Sequence, residues 1–306
     1  MPPLLSAEPF ACPDPLAERR YAYAQAAAAD GDWRAAAEVF AQALELAPGW
    51  APAWLALGEA LEKLGDDKAA AAAYREALEA DRKDRLGAGP RLARLEGRAI
   101  AALPPAYIAR LFDDYAPRFE RHLRESLDYR GPELILEALD AVAPSRRFAL
   151  ALDLGCGSGL AGRALRSRVD RLVGVDLSAA MIAQARAAGV YDELAVGDLG
   201  EFLGARAPGG ADLIVAADTL VYLGDLRPVV AAVAAALRRS GLFAFTVEAG
   251  EAAFALGESL RFRHSNAHLR EAAALAELRV ARLAPAGTRR EAGRETEGRI
   301  VVLERL

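Results

Sequence analysis

The chain has 306 residues, with 38 Lys and Arg against 43 Asp and Glu, a net charge of -5 and a pI near 5.5. That balance leaves no basic footprint for DNA or RNA. Two cysteines exclude a disulfide framework, and no Cys/His spacing suits a metal. No apolar run reaches about 18 residues, and the N-terminus has neither a basic start nor an apolar h-region, so the expectation is a cytoplasmic protein without a membrane partner. The length suggests about two domains.

Residues 1–15 carry Pro2, Pro3, Pro9, Pro13 and Pro15 and read as a flexible lead-in. A repeat follows over 16–103. Ala24, Ala36, Phe40, Ala43 and Pro48 align with Gly58, Ala70, Tyr74, Ala77 and Arg82 at a constant offset of 34. Trp54, Leu57, Gly58 and Leu61 complete a first helix in the second copy, whereas Arg20 stands where the first copy would hold tryptophan. Asp30-Gly31-Asp32 and Gly65-Asp66-Asp67 read as the turns within each copy. The pattern resembles tetratricopeptide repeats, which implies a protein or peptide partner. A third copy keeps one helix, Pro90 to Leu103, as a cap. Two repeats and a cap fall short of the usual stack of three, so the array is expected to lean on the rest of the chain.

Residues 104–146 read as a helical bridge or lid. Ile108, Leu111, Phe112, Tyr115, Phe119 and Leu123 recur at helical spacing, and Pro117 divides them into two short helices. Ile108, Leu111 and Leu123 are expected to pack, and Tyr115 and Phe119 to cover a cofactor or line an entrance. Gly131-Pro132 opens a further helix, Glu133 to Val142.

Phe148 to Ala151 then leads into Leu-Asp-Leu-Gly-Cys-Gly-Ser-Gly-Leu-Ala-Gly at 152–162: strand, glycine turn, helix. Such a turn approaches a ligand closely, and the helix start faces it. Asp153 beside the turn would repel a pyrophosphate and attract a cofactor carrying an ammonium and a sulfonium. Gly157, Gly159 and Gly162, with Asp176 downstream, also fit a dinucleotide fingerprint, so an oxidoreductase stays open here. Cys156 in the turn reads as a reduced, small structural residue. Arg171 to Asp176 is a second strand whose terminal acid can accept ribose hydroxyls. Ser178 caps a helix over 179–188 bearing Met181 and Ile182. Leu194 to Val196 ends at Gly197-Asp198-Leu199, where Asp198 could accept an adenine amino group and Leu199 cover the ring. Ala211 to Ala217 runs into Asp218-Thr219-Leu220-Val221-Tyr222, with Asp212 read as a structural residue at the strand start.

In that order the blocks LDLGCGSG, VGVDLSAAMIAQA, GDL and DLIVAADTLVYLGD resemble class I S-adenosylmethionine-dependent methyltransferases over roughly 105–306. The resemblance implies an α/β, Rossmann-like seven-stranded sheet in order 3-2-1-4-5-7-6, behind an all-α repeat domain. It implies S-adenosyl-L-methionine as cofactor, with contacts at Tyr115, Asp153, Gly155, Gly157, Asp176, Leu177, Met181, Asp198, Leu199, Ala217 and Asp218. The remaining elements are a helix over 228–239, a strand over 241–247, a helix over 266–278 capped by Ser265, and antiparallel strands at 280–283 and 299–304.

Methyl transfer from a sulfonium needs alignment and, for some nucleophiles, a base. His264 is the expected base or acceptor-orienting group, with His268 on the same side; Tyr222, Arg261 and Arg263 are placed to meet an acidic acceptor. The acceptor is read as a small molecule, a carrier-bound acid or a protein side chain. Ala217-Asp218-Thr219-Leu220 lacks the Asn-Pro-Pro-Tyr pattern of base and amide methylators. The alternative reading is a repeat-based interaction protein with a non-catalytic cofactor domain.

Overall fold

A computed structural model describes residues 10–125, 128–291 and 294–306. The chain divides into two compact units, residues up to Ile100 and from Ala101 onward, close to the boundary expected at 103/104.

The first unit is a run of antiparallel helix pairs: α1 (Pro15–Ala29), α2 (Trp33–Leu46), α3 (Ala51–Lys63), α4 (Asp67–Ala80) and α5 (Ala88–Leu95). Asp32 and Asp66, equivalent positions of the two copies, each cap a second helix by accepting from the amide three residues on, at 3.0 Å. Gly58 is small because a Cβ there would stand 2.5 Å from the Tyr74 ring. Tyr74 is fully buried and donates to Glu62 at 2.8 Å. Two expectations change. The cap helix stops at Leu95, since Gly97 turns the chain at φ +64°, so it does not reach Leu103. Residues 1–9 of the expected lead-in lie outside the described residues, but 10–14 are held. The Trp50 indole donates to the Phe10 carbonyl at 2.9 Å, and the Arg85 guanidinium lies 4.5 Å over the Phe10 ring.

The second unit opens with α6 (Pro105–Tyr115), a 3-10 turn at Ala116–Arg118, α7 (Phe119–Glu125) and α8 (Gly131–Val142). Pro117 makes the break between α6 and α7, as its missing N–H requires. An alternating segment follows: β1 (Phe148–Leu154), α9 (Leu160–Leu165), β2 (Val169–Asp176), α10 (Ala179–Ala188), β3 (Glu193–Val196), α11 (Leu199–Gly204), β4 (Ala211–Ala216), α12 (Arg227–Ala236) and β5 (Leu237–Ala249). The chain ends in β6 (Phe254–Leu256), β7 (Phe262–His264), α13 (Asn266–Leu275), β8 (Leu278–Pro285), the short pair β9 (Arg290–Glu291) and β10 (Arg294–Glu295), and β11 (Gly298–Arg305).

The long strands lie in the order β3-β2-β1-β4-β5-β11-β8, parallel through β5 and antiparallel for β11 and β8. This is the expected 3-2-1-4-5-7-6. The difference is two added short strands: β7 pairs parallel with Glu248 and Ala249, beyond the end of β4, and β6 closes a hairpin on it. Also, β5 starts at Leu237 rather than Gly241, which shortens α12. Leu237 pairs with Ala211, and Ser240, at φ +57°, carries the chain through a bulge.

Central strands β1 and β4 are buried on both faces, as helix-covered parallel strands are. Leu152, Leu154, Ile214 and Ala216 pack with Phe243, Phe245 and the helices α12 and α13. Ala151, Leu213 and Val215 face Ile135 and Leu139 of α8. Asp212 ties the two strands by accepting from Leu150 N at 2.9 Å and pairing with Arg238. Strand ends β1, β2 and β4 are thereby fixed beside one another at one edge of the sheet.

Candidate functional site

At those carboxyl ends lies a cavity of about 250 Å³. The floor is the turn after β1. Gly155 and Gly157 take φ +67° and +53°, which only glycine adopts without strain. The amides of Gly155 and Cys156 both donate to Val175 O, at 2.8 and 3.0 Å, which pins the turn to the end of β2. A Cβ on Gly155 would stand 2.4 Å from Thr219, whereas Gly157 opens toward the cavity, with Phe119 nearest at 3.7 Å.

Asp176 ends β2 at the cavity wall. Its carboxylate accepts from Gly157 N and Ser178 N, each at 2.9 Å, so strand end, turn and helix start share one anchor. Burial pushes its pKa up, against the pull of those amides. Leu177, Gly197 and Leu199 line the adjoining wall, and Ala217, Asp218 and Thr219 supply the end of β4.

Asp153 sits behind the turn at a side chamber of about 40 Å³. It is buried, and the Tyr191 hydroxyl donates to it at 2.7 Å. Burial, with the Asp176 charge adding, raises its pKa to about 7. The Tyr191 ring lies in a slot made by three missing side chains: Cβ atoms on Gly159, Gly162 and Gly174 would meet it at 3.0, 2.4 and 2.9 Å. Of the glycine run, therefore, Gly155 and Gly157 face the cavity, while Gly159 and Gly162 serve packing.

The roof is aromatic. Phe112, Tyr115 and Phe119 line the cavity with Ile108, Leu123 and Tyr129, so two residues expected only to pack also face the space. Edge-to-face contacts link Phe112 to Tyr222 at 5.7 Å and Tyr115 to Phe119 at 5.2 Å. The helix α6 is latched to α10: Asp113 accepts from Ser178 Oγ at 2.6 Å and Ala180 N at 3.1 Å, and the Gln184 amide donates to Ala116 O at 2.6 Å.

The opposite end is charged. Arg261 donates to Asp218 Oδ1 and Glu248 Oε1, both at 2.6 Å, and to the Tyr222 hydroxyl at 3.0 Å. Arg289 donates to the same Glu248 oxygen at 2.8 Å. Arg263, an expected acceptor contact, is largely exposed and lies off the cavity wall.

Three expected site residues lie elsewhere. His264 is buried behind the wall. Its Nε2 lies 2.8 Å from Leu223 O and 3.2 Å from Gly224 O, and since carbonyls only accept, that nitrogen carries the proton. The ring stacks on His268 at 5.9 Å, and burial lowers its pKa to about 4. This imidazole anchors the loop that bears Tyr222 and lies off the cavity wall. Met181 is fully buried in the core. Asp198 turns its carboxylate to the Gly200 and Glu201 amides, at 2.8 and 3.2 Å, as the cap of α11. Among the described residues no group of three or more His, Cys, Asp and Glu could hold a metal, and no helix is long and apolar enough to cross a membrane.

Residues 152–243 match the family model for a methyltransferase domain, and 27–89 match that for a tetratricopeptide repeat. The matched stretches lie on the Rossmann-like sheet and on the paired helices respectively, so each unit resembles a known class: a methyltransferase domain and tetratricopeptide repeats. Human methyltransferase-like protein 27 is 36% identical over 107 residues, 34% of this chain and 43% of that protein. The malonyl-[acyl-carrier protein] O-methyltransferase of Enterobacter lignolyticus is 31% identical over 144 residues, 47% of this chain and 54% of its own. The chain thus spans about half the length of these relatives. The fold is shared with Burkholderia thailandensis 1,6-didemethyltoxoflavin-N1-methyltransferase, a structure with S-adenosylhomocysteine bound, at TM-score 0.52 and 18% identity over 68% of this chain and 92% of that one. It is also shared with a chain from the complex of the Haloferax volcanii Trm112 methyltransferase activator, at TM-score 0.50 and 24% identity over 63% of this chain and 96% of that one.

Proposed function

We propose that this chain is an S-adenosyl-L-methionine-dependent methyltransferase acting in the cytoplasm, and that its repeats dock a protein or peptide partner. The observation that carries the reading is the joint arrangement of Gly157, Asp176 and Asp153. A bare backbone faces the cavity, a carboxylate locked to that backbone stands at the cavity wall where it would meet the ribose hydroxyls, and a second carboxylate is buried with a phenol as its hydrogen-bonding partner. Asp153, which has no cationic partner among its hydrogen bonds, would hold the ammonium of the donor. Leu177 and Leu199 would flank its adenine, and Tyr115 and Phe119 would close over it; aromatic faces favour a nearby cation.

When bound, the cofactor supplies a methyl group on a positively charged sulfur, a leaving group already activated. The chain's own work is positioning. Aligning nucleophile and methyl carbon is worth up to about 7–11 kcal/mol. The aromatic roof excludes water, and Tyr222 with Arg261 presents polar groups to an acceptor, whether a small molecule, a carrier-bound acid or a protein side chain. The glycines facing the cavity are Gly155 and Gly157 rather than the Gly157 and Gly159 pair of a dinucleotide register, which favours this reading over hydride transfer.

Calorimetry on the full chain with S-adenosylhomocysteine and with NAD tests it. The first is expected to bind and the second not, and Asp176→Ala to weaken binding by about a hundredfold or more, near 2.7 kcal/mol. Binding of NAD, or an unchanged affinity in Asp176→Ala, defeats the assignment.

A further inference from the structure

Two arginines stand side by side at the end of the cavity away from the glycine turn. Arg261 precedes β7, and Arg289 comes from the link between β8 and β9. Their side chains are 12% and 5% exposed. Two cations so close and so dry repel each other and are costly to bury. Glu248, at the end of β5, resolves this by accepting from both guanidinium groups through one oxygen, at 2.6 and 2.8 Å. It does not itself line the cavity. It sits behind the pair and holds both arginines at the wall.

The same wall carries two carboxylates, both already engaged: Asp176 by the Gly157 and Ser178 amides and Asp218 by Arg261. Among the described residues that line the cavity there is no imidazole and no amine. Tyr115, Tyr129 and Tyr222 are held protonated, because burial raises each hydroxyl further above neutrality. His264 faces the loop carbonyls, and His122 stays off the wall, bonded to Tyr115. Asp218 Oδ1 is taken by Arg261, with Arg289 at 3.6 Å. A nucleophile that must first lose a proton finds little help here. A carboxylate arrives already ionised at neutral pH and needs no base, and the planar donors of two guanidinium groups, whose charge Glu248 and Asp218 already balance, match its geometry.

We infer that the acceptor is a carboxylic acid with an apolar body, bound as its carboxylate at Arg261 and Arg289 and leaving as a methyl ester. The assignment rests on the methyltransferase reading above. A bond forms between carboxylate oxygen and methyl carbon as the carbon–sulfur bond breaks. The electron pair of that bond stays on sulfur, and no proton changes hands. Phe112, Tyr129 and Tyr222 provide the apolar surface for the rest of the acid.

The test is calorimetry on the full chain saturated with S-adenosylhomocysteine. Phenylacetate is titrated at neutral pH against the neutral phenylacetamide and the cationic phenethylamine, which share its ring and reach. Phenylacetate is expected to bind at least tenfold tighter than either. Arg289→Gln is expected to erase that preference while holding S-adenosylhomocysteine within threefold of the parent, which certifies the fold; if it does not hold it, Arg261→Lys stands in. Equal binding of the three probes, tighter binding of amide or amine, no binding of any, or a preference that survives in the folded variant overturns the inference. Failure of S-adenosylhomocysteine to bind the parent chain is a separate result and defeats the methyltransferase reading instead.

Discussion

Asp153 and Asp176 are the two carboxylates nearest the glycine turn, and their surroundings set them apart. Asp176 takes two amides and is tied to the turn. Asp153 has one phenol and deep burial, and its pKa rises to about 7. A carboxylate with a raised folded-state pKa is charged only above that value, so its attraction for an ammonium is present above about pH 7 and fades as pH falls through it. Affinity for S-adenosylmethionine is therefore expected to weaken toward about tenfold per pH unit on the acid side, and binding there to release a proton. Asp153→Asn is expected to bind more weakly at neutral pH and to lose that pH dependence. Isothermal titration in two buffers of different ionisation enthalpy reads both effects. The turn glycines and both acids were legible in the sequence, because each requirement is local: backbone at a turn, charge at a strand end. Tyr191 was not. Its role depends on a slot that exists only when Gly159, Gly162 and Gly174 come together from two elements.

At the scale of elements, the roof is decided by its latch. The apolar stripe of α6 was readable from spacing, but the stripe by itself does not say where the helix rests. Asp113 and Gln184 settle that by joining α6 and the following turn to α10. Asp113 accepts at the start of α10 as a second capping group, so its loss costs about 1 kcal/mol of local stability. Asp113→Ala is expected to raise amide exchange across 105–118 severalfold, with β1 and β4 unchanged, and to speed release of bound S-adenosylhomocysteine; exchange mass spectrometry and stopped-flow dissociation measure these. Unaltered exchange in 105–118 would mean that apolar packing alone holds the roof. The loop bearing Tyr222 shows a comparable division of labour. Its position was predicted from the strand end, while the anchoring by His264 came only with the β6–β7 hairpin and that by His268 with the packing of α13. A histidine close to a strand end in the chain reads as available for catalysis, whereas the fold buries this one against backbone carbonyls.

At the scale of the molecule, the chain joins a repeat unit ending at Ile100 to a methyltransferase-fold unit beginning at Ala101. If the repeats dock a partner, cofactor affinity and partner-dependent transfer separate. Residues 101–306 alone are expected to bind S-adenosylhomocysteine within about threefold of the full chain, a difference under about 1 kcal/mol, and to lose transfer to an acceptor presented on a protein. Calorimetry and a labelled-methyl assay report the two quantities. A truncated chain with undiminished transfer to such an acceptor would place docking outside the repeats.

Apart from the seven-strand sheet order, which the family resemblance implied, the sequence by itself determined the repeat period, the order of strand, turn and helix and the glycine turn with its acids. These follow from short-range rules: periodicity, capping, the φ that glycine permits and the handedness of crossovers. The tertiary structure alone decided which polar groups share the cavity. Arg261 and Arg289 meet at Glu248 because an antiparallel return and a hairpin fold distant segments onto the end of β5. No local pattern encodes that meeting, since it depends on long-range pairing and on the burial that only the assembled sheet provides.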